Sequence, residues 1–194
     1  MYSTNIRNFA TSSALVACGV LFAGCTTSHL DDHASTASSH ASVDAQIDAT
    51  LSRLYSTVPG AREMVASSKG MLVFPSVVGG SFVVGAEYGR GALRIKGRTK
   101  NYYNIAAGSI GWQAGAQSKA IVYLFTTQEA LDKFLASPGW TIGVDATVAV
   151  ANLGANGSVD TNTMRAPVVG FVLANAGLEV GVSLQGMKIT EMRM

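Results

Sequence analysis

Histidine and cysteine are nearly missing from this chain. The three histidines, His29, His33 and His40, and the two cysteines, Cys18 and Cys25, all fall within the first 40 residues. Residues 41–194 therefore hold no imidazole to serve as a general base near neutral pH, no thiol nucleophile and no soft metal ligand, so a non-catalytic domain without metal or cofactor is expected. Once the segment before Cys25 is removed a single sulfur remains, which excludes an internal disulfide. Charge is sparse as well. Fourteen Lys and Arg against 12 Asp and Glu leave a formal net charge of +2, and no nucleic-acid reading motif is present, so a nucleic-acid partner is not expected. The apolar run at residues 14–22 is too short to persist as a membrane span.

That run has a different use. Arg7 precedes it and Ala23-Gly24-Cys25 follows it, the pattern of a secretory signal ending in a lipobox-like site, with Phe22 where leucine is preferred. Residues 1–24 read as a lipoprotein signal peptide, and Cys25 as the acylated first residue of the mature chain. The bland alternative is an ordinary signal cut nearby, leaving Cys25 a plain thiol. Each buried acyl CH₂ contributes about 0.8 kcal/mol of membrane affinity, so several chains on one residue hold a protein firmly. Thr26, not Asp, follows the cysteine, which favours the outer membrane in a Gram-negative envelope. The expected location is thus the bacterial cell envelope, lipid-anchored. Residues 25–42, with the sequence TTSHLDDHASTASSHAS after Cys25, hold one large aliphatic side chain, Leu30, and read as a flexible tether in which the histidines are solvated.

Residues 43–194 suffice for one domain with its own core. Ile47, Leu51, Leu54, Tyr55 and Val58 recur at helical spacing with Asp44, Asp48, Ser52 and Ser56 on the other side, predicting an amphipathic helix that packs on the domain's own sheet. A second short helix is expected over 61–68 and a third over 128–136, ended by Pro138-Gly139. Between them lie β-rich runs at 71–74, 81–88, 92–99, 109–116, 120–126, 141–150, 166–174 and 178–189, punctuated by glycine. The expected fold class is α+β: a strongly curved, mainly antiparallel or barrel-like sheet with a few covering helices.

The best anion contact is Arg94-Ile95-Lys96-Gly97-Arg98-Thr99-Lys100. If the segment is extended, alternation puts Arg94, Lys96, Arg98 and Lys100 on one face, roughly 7 Å apart, with Arg90 nearby and no acid among them. Such a row suits phosphate groups, and equally suits the protection of an exposed edge strand. Tyr102 and Tyr103 follow it and serve either a lipid interface or a core. Catalytic signals are poor: Ala107-Gly108-Ser109-Ile110-Gly111 is an incomplete nucleophile elbow with no histidine to activate it, and Glu87, Asp145, Asp160 and Glu179 have no spacing that pairs them.

Lys69-Gly70, Leu72-Val73-Phe74-Pro75, Gly79, Val83-Val84-Gly85 and Tyr88-Gly89-Arg90-Gly91, in that order, resemble the opening of the SYLF domain. Ser109-Ile110-Gly111-Trp112-Gln113-Ala114-Gly115-Ala116, residues 131–135, Ile142-Gly143-Val144-Asp145-Ala146, and Gly177-Leu178 with Gly181-Val182-Ser183-Leu184 resemble its later segments. Tyr102-Tyr103-Asn104-Ile105 and Ala151-Asn152-Leu153-Gly154 depart from it. The resemblance implies a lipid-binding domain, also described as a yeast actin regulator, that recognises acidic phospholipid or phosphoinositide headgroups with help from an N-terminal amphipathic helix. For an exported chain the actin role is not carried over. The alternative is a structural or interaction lipoprotein whose partner is an envelope or host protein and whose only membrane contact is Cys25.

Overall fold

The computed structural model describes residues 32–81, 84–110, 115–152 and 159–192. The expected signal 1–24, Cys25 and the tether up to residue 31 lie outside the described residues.

Four long strands frame the domain: β1 (Gly70–Ser81), β2 (Val84–Ile95), β3 (Arg98–Ile110) and β4 (Gly115–Phe125). They pair antiparallel in the order β4-β1-β2-β3, a Greek key. Shorter strands β5 (Gly139–Thr141), β6 (Ala149–Val150), β7 (Val168–Ala174), β8 (Gly177–Glu179) and β9 (Lys188–Glu191) widen the sheet to β5-β9-β3-β2-β1-β4-β7-β6, with β8 also on β7. The mixed sheet curls into a half-barrel, and β6 with β7 is the parallel pair among the described strands. The α+β curved-sheet expectation holds.

Around residues 71–74 and 120–125 both faces of this sheet are covered. Leu72, Phe74, Ile121, Tyr123 and Phe125 point to the inner face, where Leu131 and Phe134 of α3 (Gln128–Ala136), Trp140, Leu184 and Met187 close over them. Met71, Val73, Ala120, Val122 and Leu124 alternate with these and point to the outer face, under α1 (Asp32–Thr57) and α2 (Ala61–Ser67). A short helix, α4 (Thr161–Arg165), precedes β7. Two-sided burial explains why 71–74 and 120–125 read as unbroken apolar runs. On α1, Val43, Ile47, Leu51 and Leu54 are buried, as is Val58 just beyond its end. At about 2 kcal/mol per buried aliphatic side chain, detaching α1 with Val58 exposes roughly 10 kcal/mol of apolar contact as an upper bound, so this amphipathic helix is part of the core. Among the described residues no helix is long and apolar enough to cross a membrane.

Several expectations need correction. Residues 32–42, placed in the tether, are the first turns of α1. No Gly or Pro interrupts 25–42, Ala34, Ala37 and Ala41 are strong helix formers, and a helix nucleated on its packed half extends at little cost. The expected strand 141–150 is instead the end of β5, a turn and then β6: Gly143 has φ 90° and the Asp145 carboxylate accepts the Thr141 N–H at 2.6 Å. The expected strand 178–189 is β8 and β9 joined by residues 180–187, which cross the inner face through turns at Gly181 and Gly186, both at positive φ. The strand expected over 109–116 is divided between β3 and β4, which are not neighbours, and residues 111–114 lie outside the described residues. The strand expected over 81–88 straddles the reversal from β1 to β2, with Ser81 opposite Gly85 and residues 82–83 outside the description.

Candidate lipid-facing site

The single basic row is not present, because the chain turns inside it. Lys96 and Gly97 have φ 51° and 75°, the two left-handed residues of a tight hairpin turn, so Ile95 faces Arg98 and Arg94 faces Thr99 across the pair. Leu93 faces Asn101, leaving Lys100 as the extra residue of a bulge. Reversal and bulge together abolish the strict alternation that the extended reading assumed.

Arg94 goes to the outer face and is consumed there. Its guanidinium, with 10% of the side chain exposed, pairs with Asp48 and lies 3.5 Å from the Asp44 carboxylate, and it also donates to the Asp44 carbonyl at 3.1 Å. Thr99 Oγ1 and the Tyr102 hydroxyl donate to the two oxygens of Asp44, at 2.7 and 2.8 Å. Tyr102 is further covered by His40, stacked on it at 3.7 Å between ring centroids. Tyr103 is buried on the inner face against Phe134. Arg94 and Tyr103 thus hold structure, and the network that fixes the first half of α1 to the sheet uses Asp44, Asp48, Thr99 and His40, which the sequence reading did not assign. Asp44 and Asp48, one helical turn apart, were the available hint, but nothing in the sequence marks Arg94, about 50 positions on, as their partner.

Burial alone raises the Asp44 pKa, yet the hydrogen bonds from Thr99 and Tyr102 and the Arg94 charge outweigh it and hold the carboxyl below its usual value. A depressed carboxylate contributes stability that is present above the unfolded pKa, about 3.9, and is lost as pH falls through the folded one. Asp44→Asn should therefore lower stability at pH 7, and its deficit relative to the unaltered chain should shrink below about pH 4, as urea unfolding from pH 2.5 to 7 will show. Tyr102 moves the other way: burial and its bond to Asp44 push it up to about 12, so its contribution persists to about pH 10 and fades above.

Four cations of the sequence reading remain exposed. Lys96, Arg98 and Lys100 surround the hairpin turn, and none of them is in a described ion pair. Arg90 stands farther along β2 on the outer face, between Ser76 and Asn104. The structure thus groups three cations at one hairpin end and separates the fourth.

The remaining charges have local uses. Glu87 meets Lys119 at 3.0 Å, a pair that spans β1 above Gly79, where a methyl group would come within 2.9 Å of the Glu87 side chain. Asp160 accepts the Thr163 N–H at 3.0 Å. Among the described residues no cluster of three metal-ligating side chains occurs.

No curated protein matches the chain. Residues 106–193, from the second half of β3 to the C-terminal strand, match the family model Ysc84, described as Las17-binding protein actin regulator, so the SYLF resemblance is established over this part of the domain.

Proposed function

We propose that this is an envelope lipoprotein, anchored by acylated Cys25, whose domain engages anionic phospholipid headgroups without catalysing a reaction. The observation that carries this reading is the β2–β3 hairpin: Lys96, Arg98 and Lys100 are exposed around a two-residue turn, and no described acid pairs with them. A tight turn with cations on it meets a flat charged surface at little entropic cost, because the backbone is already ordered. The match to a family known for lipid binding and actin regulation supports the coarse reading. Outer-membrane placement follows from Thr26.

Chain geometry is compatible with this orientation. α1 rises about 18 Å from Asp44, which bonds Thr99, back to Asp32. The seven steps from there to Cys25 add at most about 24 Å. An acylated Cys25 therefore keeps the hairpin end within about 40 Å of the bilayer, on the side from which α1 emerges.

Each basic residue near an anionic bilayer contributes about 1 kcal/mol, so three give about 3 kcal/mol, or more than 100-fold in partitioning at low salt. Lys96→Glu/Arg98→Glu/Lys100→Glu, made in the full chain with Cys25→Ser so that membrane association reports the domain, should lose at least that factor in co-sedimentation with phosphatidylglycerol vesicles. The unaltered hairpin should bind them, ignore phosphatidylcholine vesicles, and release as salt rises. Equal binding by the triple variant would leave Cys25 as the sole membrane contact. Attention would then move to the uncovered outer face around Val78 and Tyr88, 51% and 49% exposed, as a protein-binding surface.

A further inference from the structure

A cleft of about 360 Å³ opens between the first turns of α3, the loop after β5 and the start of β7, and no residue of the β2–β3 hairpin lines it. Its exposed lining is more apolar than polar: Trp140 and Val168, 3% and 1% exposed, form the base, and Ala130, Ala146 and Pro167 the walls. The indole is fixed by edge contacts with Tyr123 and Phe134, at 6.2 and 5.3 Å between ring centroids. Its N–H has no acceptor among the described residues and is not sealed from solvent, whereas a tryptophan this buried normally satisfies its N–H. The rim is charged. Glu129 and Lys133 pair at 2.8 Å and offset each other, which leaves Asp145 as the unbalanced charge. One Asp145 oxygen accepts the Thr141 N–H, one residue on from Trp140, and the other accepts from no described donor. The Val144 and Asp145 N–H groups both reach the Thr141 carbonyl, at 3.2 and 2.9 Å, so the carboxylate is held in place before any ligand arrives.

We infer that this cleft binds an apolar amino acid unit with a free ammonium, either a free amino acid or the first residue of a peptide. Such a unit carries an ammonium, an apolar side chain and a carbonyl on one α-carbon. The ammonium meets Asp145, the carbonyl accepts the Trp140 N–H, and the side chain lies on Ala130, Ala146 and Val168. A plain amine would leave the indole N–H unpaired, and a fatty chain would leave Asp145 unpaired as well. A water takes about 30 Å³ of the liquid, so about 360 Å³ has room for at most about a dozen non-hydrogen atoms, the size of phenylalaninamide. The inference does not depend on headgroup binding by the hairpin.

The test is an NMR titration of the full chain carrying Cys25→Ser. Phenylalaninamide should bind one to one, shifting the Trp140 indole N–H and the Val168 methyl resonances and leaving those of Val78 in place. N-acetylphenylalaninamide, which lacks the ammonium, and phenethylamine, which lacks the carbonyl, should each bind at least threefold more weakly. Asp145→Asn keeps an acceptor for the Thr141 N–H and drops the charge. It should weaken phenylalaninamide to the level of the acetylated probe and leave the acetylated probe itself unchanged, a pattern that loss of folding does not produce. Lys96→Glu/Arg98→Glu/Lys100→Glu should alter none of these affinities, so failure of the headgroup reading leaves this one standing. Phenylalanine binding at least as tightly as its amide identifies a free amino acid, whereas tighter binding of the amide and of phenylalanyl-alanyl-alanine identifies a peptide end. No binding of phenylalaninamide at millimolar concentration, or undiminished binding of it by the Asp145→Asn chain, overturns the proposal.

Discussion

Replacing Arg94 by alanine should cost about 2–3 kcal/mol of unfolding free energy and leave vesicle binding per folded molecule unchanged. Breaking a buried ion pair usually costs about 3–5 kcal/mol, because an uncompensated charge stays behind. Here the acids are not buried to the same extent: the side chains of Asp44 and Asp48 are 33% and 68% exposed, and rehydrate when the arginine is gone. That places the expected cost at or below the low end of the range. Lysine should not rescue it, since one ammonium cannot reproduce the fork that reaches the Asp48 carboxylate and the Asp44 carbonyl together. Urea unfolding beside vesicle co-sedimentation separates the roles of the two halves of the basic segment. Arg94→Ala should move the unfolding midpoint and not the partitioning, whereas the triple reversal at Lys96, Arg98 and Lys100 should do the opposite. If Arg94→Ala instead abolished binding at unchanged stability, Arg94 would be a headgroup ligand and its bonds to α1 incidental.

The same segment shows what the sequence made legible. The helix expected over 128–136 is α3 to the residue, since Thr127 caps it by accepting the Ala130 N–H and Leu131 and Phe134 keep one buried face. These are local signals. The hairpin turn was missed because Lys96-Gly97 carries only half of the usual signature: glycine tolerates positive φ freely, but lysine lacks the short polar side chain that draws Asn or Asp to the first position. With the turn unseen, four cations at alternate positions looked like a row. The fate of Arg94 depends on a contact with α1, about 50 residues back, and such pairings follow from topology. Exposure of Lys96, Arg98 and Lys100, by contrast, was foreseeable from charge alone, because unpaired lysine and arginine rarely leave water.

Gly91→Ala should be among the most damaging single-methyl changes in the domain, at about 3 kcal/mol or more. Between Val73 and Ser76 the pairing of β1 with β2 shifts register, and the resulting bulge brings the β1 backbone over Gly91. A Cβ at this position would lie 2.1 Å from the Val73 carbonyl oxygen and 2.6 Å from Phe74 Cδ1. Neither can yield cheaply. Val73 is held between Ala92 on β2 and Val122 on β4, and the Phe74 ring is fully buried with Tyr123 at its edge, 6.3 Å between centroids. Gly97→Ala supplies the control for backbone strain without crowding. Nothing lies within 4 Å of its added methyl, but its φ of 75° makes alanine cost about 1 kcal/mol. Gly108→Ala has open space and no positive φ, so it should be close to neutral. Thermal and urea unfolding of the three variants should rank them 91, 97, 108 in order of damage. A Gly91→Ala chain as stable as Gly108→Ala would mean that the β1 bulge moves freely, and the curvature of the half-barrel would then have to be set by something other than this close approach of two backbones.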